Sequence, residues 1–207
     1  HGYILNTLHH LPDADPDLRY TVFVGEGDPP IHERLAVRRS RFPTSSPPLR
    51  IVWEPALQPF QLGGLDLLHG MAFPTPLLAR TPAVVTVYDL SFVFYPERLP
   101  ASRRMYLRAL TGLSCRRARR VIAISRSTAD DLQRVLGVPA DRIDVALPGV
   151  REEYHPLPAG EVAAFRASND LPERFFLYLG TLEPRKNVPL LLEAYAALPE
   201  ATRRAVP

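Results

Sequence analysis

Short apolar, β-branched runs alternate with amphipathic stretches along most of this chain, and that alternation constrains its fold more than any other feature. A strand buried on both faces reads as an unbroken apolar run, and parallel neighbours need a helical crossover between them. Strands are expected over Tyr20–Gly25, Leu49–Trp53, Leu65–Leu68, Ala83–Tyr88, Val121–Ile124, Ile143–Ala146 and Phe175–Leu179. Helices are expected from about Tyr3 to Leu11, Ser102 to Ala118, Ser127 to Leu136, Glu161 to Ser168 and Val188 to Leu198. The pattern predicts an α/β fold, a Rossmann-like parallel sheet flanked by helices, spanning Tyr20 to Leu147 with Val84, Val85 and Val87 in a central strand. Ser127 with Asp130 three positions on predicts a capping box, and Gly137 the stop of that helix.

Composition excludes several classes. At 46% hydrophobic, the 207 residues can bury a proper core. No apolar run reaches the length of a membrane-spanning helix, and the start of the chain has no signal-peptide pattern. One cysteine, Cys115, gives no internal disulfide framework and fits a reducing compartment, hence a cytoplasmic location. A net charge of +3 does not point to nucleic acid. His1, His9, His10, His32 and His155 are scattered, so no metal is expected, and no Ser-His-Asp triad or Walker loop can be built from local spacing.

The chain opens inside a helix with no strand before it, where a doubly wound domain would begin with a strand and a ligand-binding glycine turn; at most Gly2 of that turn is present. Residues 1–149 read as one domain lacking its first strand. Residues 150–172, with three prolines and mixed charge, read as an interdomain connection, and 173–207 as the opening strand–helix unit of a second domain.

Of the 25 basic residues, Lys186 is the sole lysine. It follows an expected buried strand and the turn residue Gly180, with Arg185 beside it; Asn187 is a plausible N-cap and Pro189 falls in the first helical turn. A glycine turn lets backbone approach a ligand, and a helix start collects unpaired N–H groups that favour anions. These features describe either a diphosphate cradle or a surface turn with two solvated cations.

The segment YLGTLEPRKNVPLLLEAY at 178–195 resembles the donor-diphosphate segment of family-4 glycosyltransferases, retaining enzymes of the GT-B fold. Residues 65–74 (LDLLHGMAFP), 84–97 (VVTVYDLSFVFYPE) and 118–150 resemble the same family in the same order. The resemblance implies a nucleotide-diphosphate sugar donor, a glycan or lipid-linked acceptor, and no cofactor or metal. It makes the first domain the acceptor side and the second the donor-binding side. Gly180, Arg185 and Lys186 would then hold the donor diphosphate, whose growing negative charge fixed cations stabilise in the transition state.

On the first domain, Tyr88, Asp89 and His69 are the candidate catalytic residues, because they follow expected strands where open α/β sheets place their sites. Gly2 and Ser125 are the acceptor-side candidates. Each has a structural alternative: a hydrogen-bonded core histidine for His69, a loop-capping carboxylate for Asp89, a helix start for Ser125. The family commonly has histidine where this chain has Tyr88, and a phenol with an ordinary pKa near 10 cannot copy imidazole proton chemistry. Glu153 and Glu161 match the spacing of the family's glutamate pair but lie upstream of the Arg-Lys motif among Pro156, Pro158 and Gly160, so they are not that pair. Arg103, Arg104, Arg108, Arg116, Arg117, Arg119 and Arg120 make the helix at 102–120 basic, either as a solvated face or as a peripheral contact with anionic membrane. Other readings are a non-catalytic sugar- or nucleotide-binding remnant of the same architecture, and a GT-B sugar-nucleotide epimerase.

Overall fold

The computed structural model describes residues 2–24, 32–39, 62–72, 75–151 and 153–207, the side chains of Arg98 and Arg185 excepted. It divides into two compact units, His1–Arg151 and Glu152–Pro207.

In the first unit the chain runs α1 (Gly2–Ala14), β1 (Tyr20–Val24), β2 (Leu35–Arg39), β3 (Leu68–Gly70), β4 (Ala83–Val87), α2 (Ser91–Phe94), α3 (Ala101–Arg117), β5 (Arg120–Ala123), α4 (Arg126–Leu136) and β6 (Ile143–Val145). Every strand pair is parallel. Among the described residues the strands form two sheets, β1-β2 and β3-β4-β5-β6, rather than the single sheet expected. The expected strand Leu49–Trp53 lies outside the described residues. Strand β2 was not legible as a strand, because Arg38 and Arg39 break its apolar run.

Parallel register pairs Val85 with Val121 and Val87 with Ala123, so these four side chains share one face, and all are fully buried. Against them pack Cys115 and Ala118 from the end of α3 and Ala129 and Leu132 from α4, with Leu90, Phe92 and Val138. Each such valine or leucine contributes about 1.5–3 kcal/mol through burial. Burial also pushes the Cys115 thiol up to about 12, which leaves it protonated and inert.

Helix α4 begins one residue before its expected start. Its N-cap is Ser125, whose Oγ accepts the Thr128 N–H at 3.0 Å, and not Ser127 with Asp130. Position 125 wins because it has the extended backbone an N-cap needs, while Ser127 already lies in the helix. Gly137 ends α4 as expected, in the left-handed region at φ 65°. Helix α1 runs through Pro12 to Ala14, three residues past its expected end.

The carboxyl end of α3 is held by a residue the sequence did not single out. The Arg142 guanidinium donates to the Cys115 and Arg116 carbonyls, each at 3.1 Å, and to the Ala118 carbonyl. One fixed cation thus satisfies carbonyls that have no intrahelical partner and complements the negative end of the helix dipole.

The second unit contains α5 (Ala159–Ser168), α6 (Val188–Ala196) and α7 (Glu200–Ala205). The Tyr195 hydroxyl closes it by donating to the Arg203 and Val206 carbonyls at 3.3 and 3.4 Å, and the Phe176 ring meets the Tyr195 ring at 5.8 Å. The strand expected over Phe175–Leu179 does not form, and Leu177 and Leu179 are 76% and 93% exposed. An apolar run becomes a strand only beside another strand that takes up its N–H and C=O groups. Among the described residues this unit contains none.

Replacing Arg142 with alanine should lower the unfolding free energy by about 1.5–3 kcal/mol, the range for hydrogen bonds to charged groups. Urea denaturation checks this: the midpoint should fall with the slope unchanged, and Arg142→Lys should recover part of the loss.

Candidate active site

The carboxyl ends of β3, β4 and β5 bring most of the first unit's candidate residues together. Register places His69 opposite Val84, so His69 and Thr86 lie on the face of the sheet opposite the Val85–Val87 core. His69 lies within β3 rather than after it, and its Nε2 is 2.8 Å from the Thr86 Oγ. It is therefore a hydrogen-bonded, partly buried histidine one residue short of the carboxyl end of β3. The Thr86 side chain is wholly buried. Desolvation lowers the His69 pKa below its ordinary 6.5, so the imidazole is neutral at physiological pH.

Tyr88 follows the last residue of β4, as expected, and is the hub of this edge. Its hydroxyl donates to the Met71 carbonyl at 2.7 Å, and its ring meets Tyr3 edge-on, with centroids 5.5 Å apart and planes at 89°. Burial, with a smaller contribution from Tyr3, pushes its phenol up to about 12. A phenol in that state is a hydrogen-bond donor, not a base. Asp89 is exposed and its Oδ1 accepts the Ser91 N–H at 2.8 Å, an Asx turn leading into the short α2, whose own N-cap Leu90 has no side-chain capping bond.

Ser125 stands at the start of α4. Thr128, not anticipated from the sequence, donates its hydroxyl to the Tyr88 carbonyl at 2.8 Å. The Thr128 proton is thereby committed, so in the 2.9 Å contact between the two hydroxyls Ser125 is the donor. The Ser-x-x-Thr spacing was the available signal, masked by the neighbouring Ser127. Gly2 is the exposed first residue of α1, and open space surrounds its α-carbon.

The turn after β3 is fixed from below. At Gly70 an added Cβ would lie 2.5 Å from the Thr75 methyl, so only glycine fits. The Thr75 N–H donates to the buried Ser114 Oγ at 3.0 Å, and Arg117 donates to the Ala79 carbonyl at 2.9 Å.

Gly180 and Lys186 belong to the second unit. The Tyr178 hydroxyl lies 2.7 Å from where a Gly180 Cβ would stand and donates to the Thr181 carbonyl at 3.1 Å. Lys186 closes a 3-10 turn, Pro184–Lys186, and its side chain is exposed. Asn187 is no side-chain N-cap: it takes the left-handed backbone at φ 48° and makes no capping hydrogen bond, while Pro189 does fall in the first turn of α6.

Three of the scattered histidines converge. His9 meets His10 at 5.0 Å and His32 at 5.8 Å between ring centroids, and His32 faces Asp13 at 3.5 Å. Among the described residues no cluster of histidine, cysteine or carboxylate side chains has the arrangement to hold a metal ion.

With this geometry in hand, comparison with known proteins is decisive. A profile of Glycosyltransferase Family 4 matches residues 3–154. The chain belongs to that family. It is 32% identical over 142 residues to O-antigen chain mannosyltransferase B of Escherichia coli, covering 68% of this chain and 37% of that protein. It is 30% identical over 129 residues to a serotype-specific mannosyltransferase of Escherichia coli, covering 60% of this chain and 16% of the relative. The chain thus spans well under half the length of either.

Two solved structures share its fold: the Anabaena protein HepE in complex with UDP and glucose (TM-score 0.62, 18% identity, 99% of this chain and 55% of that one) and a Rickettsia africae glycosyltransferase (TM-score 0.56, 16% identity, 93% and 53%). The fold is GT-B, with parallel sheets flanked by helices.

The neutral state of His69 makes stability pH-dependent in a defined direction. Below its ordinary pKa of 6.5 the unfolded chain binds a proton that the folded chain refuses until the pH has passed its own lower pKa. The stabilisation is therefore complete above about pH 6.5 and is lost as pH falls. His69→Gln keeps an amide for Thr86 but cannot titrate. Chemical denaturation from about pH 7.5 to 5 should show wild type losing stability relative to this variant only in the acid half of the range.

Proposed function

We propose that this chain supplies the acceptor-side domain, and the start of the donor-side domain, of a retaining glycosyltransferase. The enzyme moves a mannosyl group from a nucleoside-diphosphate mannose to a growing, lipid-linked surface glycan. The observation that carries the reading is the family match over residues 3–154, which includes His69, Tyr88, Asp89 and Ser125. Mannose and the surface glycan are suggested by the two mannosyltransferase relatives, and the nucleotide sugar by the UDP and glucose bound to HepE.

In this reading the acceptor lies over the edge, with Asp89 or His69 orienting a hydroxyl, and Gly2 and Ser125 bordering it. The C1–O bond to the diphosphate breaks as the acceptor oxygen bonds to C1, and the acceptor's hydroxyl proton passes to the departing diphosphate oxygen. Lys186 and Arg185, beside Gly180, stabilise the departing charge without a metal or cofactor. Residues 1–149 form the acceptor domain, 150–172 the connection, and 173–207 the first part of the donor domain, so the 207-residue chain alone does not transfer sugar. The commitment of the Tyr88 hydroxyl to a main-chain carbonyl favours a second reading, a sugar-binding protein of this architecture without turnover.

The place of action in this proposal is the inner face of the membrane. Among the described residues no helix is long and apolar enough to cross a bilayer. From Arg98 to Arg126 the sequence carries no carboxylate, and on α3 the 71%-exposed Met105 and 44%-exposed Leu113 stand among Arg108 and Arg116. Arginines around exposed apolar side chains suit an anionic lipid surface, each contributing about 1 kcal/mol.

Three measurements on the complete gene product test this. Sugar transfer from GDP-mannose and from UDP-glucose should favour mannose, with the anomeric configuration retained, and Lys186→Ala should weaken GDP binding in calorimetry about ten- to a hundredfold. Arg151→Ala should do much less, with the melting temperature unchanged in both. No transfer beside intact binding would favour the second reading. In vesicle co-sedimentation, Arg108→Glu with Arg116→Glu should abolish binding to vesicles containing anionic lipid and leave neutral vesicles unbound as before; unaltered binding would place the lipid contact elsewhere.

A further inference from the structure

Three segments remote in sequence meet at one residue. Through its hydroxyl Tyr88 holds Met71, just beyond β3; through its ring it meets Tyr3, in the first turn of α1; its carbonyl takes the Thr128 hydroxyl from the first turn of α4. Those segments border the polar edge of the sheet.

We propose that Tyr3 is a positioning residue for the acceptor: acting through Tyr88, it fixes the first turn of α1 against the turn at Met71 and so sets the shape of the rim on which the acceptor glycan rests. The inference rests on the sugar-transfer reading above. Tyr3 is suited to the task because a local contact and a remote one meet on it. Within α1 the Thr7 hydroxyl donates to the Tyr3 carbonyl at 2.8 Å, which holds this turn within the helix. The ring contact with Tyr88 ties the same turn to the end of β4, in the edge-to-face geometry that aromatic quadrupoles favour.

Tyr88 in turn is a holder rather than a proton carrier. Its hydroxyl donates to the Met71 carbonyl, so acting as an acid would require breaking the bond that fixes the rim. The half-buried Tyr3 beside it reinforces the protonated form. Both residues lie in the first unit, whereas Lys186 lies in the second. A change at Tyr3 should therefore register on the acceptor and not on the nucleotide.

The test uses the complete gene product with GDP-mannose and an oligomannoside acceptor, alongside hydrogen–deuterium exchange of segments 2–14 and 68–72. Tyr3→Ala should raise the acceptor KM about two- to tenfold, speed exchange in both segments, and leave calorimetric GDP affinity unchanged. Tyr3→Phe keeps the ring and should restore the acceptor KM and the exchange of both segments. Tyr88→Phe keeps the ring contact but not the donor to Met71, so it should loosen 68–72 and spare 2–14. The proposal is overturned if Tyr3→Ala leaves exchange at 68–72 and the acceptor KM as in wild type. It is also overturned if Tyr3→Phe behaves like Tyr3→Ala. Should wild type transfer no sugar, the functional reading fails, while the exchange data still decide whether Tyr3 ties the two segments.

Discussion

Strand β4 hydrogen-bonds to a parallel neighbour on each side, and a strand so placed must be covered on both faces. One face meets this requirement with hydrocarbon: Val85 and Val87 lie under α3 and α4 in the main core. The other carries Thr86, with His69 beside it on β3, and Tyr88 just beyond the strand end. Polar groups removed from water must find partners inside the protein or they cost more than they contribute. The pairs His69–Thr86 and Tyr88–Met71 are that requirement met, and they give this end of the sheet its shape.

The arginine-rich composition is put to two uses. Arg142 and Arg117 are part of the framework, satisfying main-chain carbonyls at the end of α3 and at Ala79. Arg120 pairs with Asp144 across β5 and β6 and holds that carboxyl below its usual range, yet both side chains are about half exposed, so the pair adds little stability. The planar guanidinium suits the first role because it can serve several oxygens at once. Those that remain on the outer side of α3 are free to shape a surface.

Legibility in the sequence followed the range of the interaction concerned. Strands β4, β5 and β6 and helices α3 and α4 were readable because apolar runs, Gly137 and local spacing carry their own information, with ends off by a residue. Strand β2 escaped because Arg38 and Arg39 are exposed and so tolerated in the strand while breaking its apolar run. Phe175–Leu179 misled in the opposite way, since apolarity records a need for burial and not the presence of a neighbour to pair with. At the candidate site the positions were legible and the partners were not. That Tyr88 would reach Met71, Tyr3 and Thr128, or that His9, His10 and His32 would meet, depends on contacts across the fold that no local spacing encodes.

We propose that the polar end of the β3–β5 sheet takes the acceptor and that the cations near Lys186 take the donor's phosphates. That division of labour is the central claim. Its most direct test is amide chemical-shift mapping of the complete gene product titrated with an oligomannoside acceptor in the absence of nucleotide. Shifts should concentrate in residues 69–72, 88–91 and 125–128, with those around Lys186 unmoved. Shifts confined to the opposite ends of the strands, around residues 82–83, 118–120 and 142–143, or to the Lys186 turn, would contradict the account.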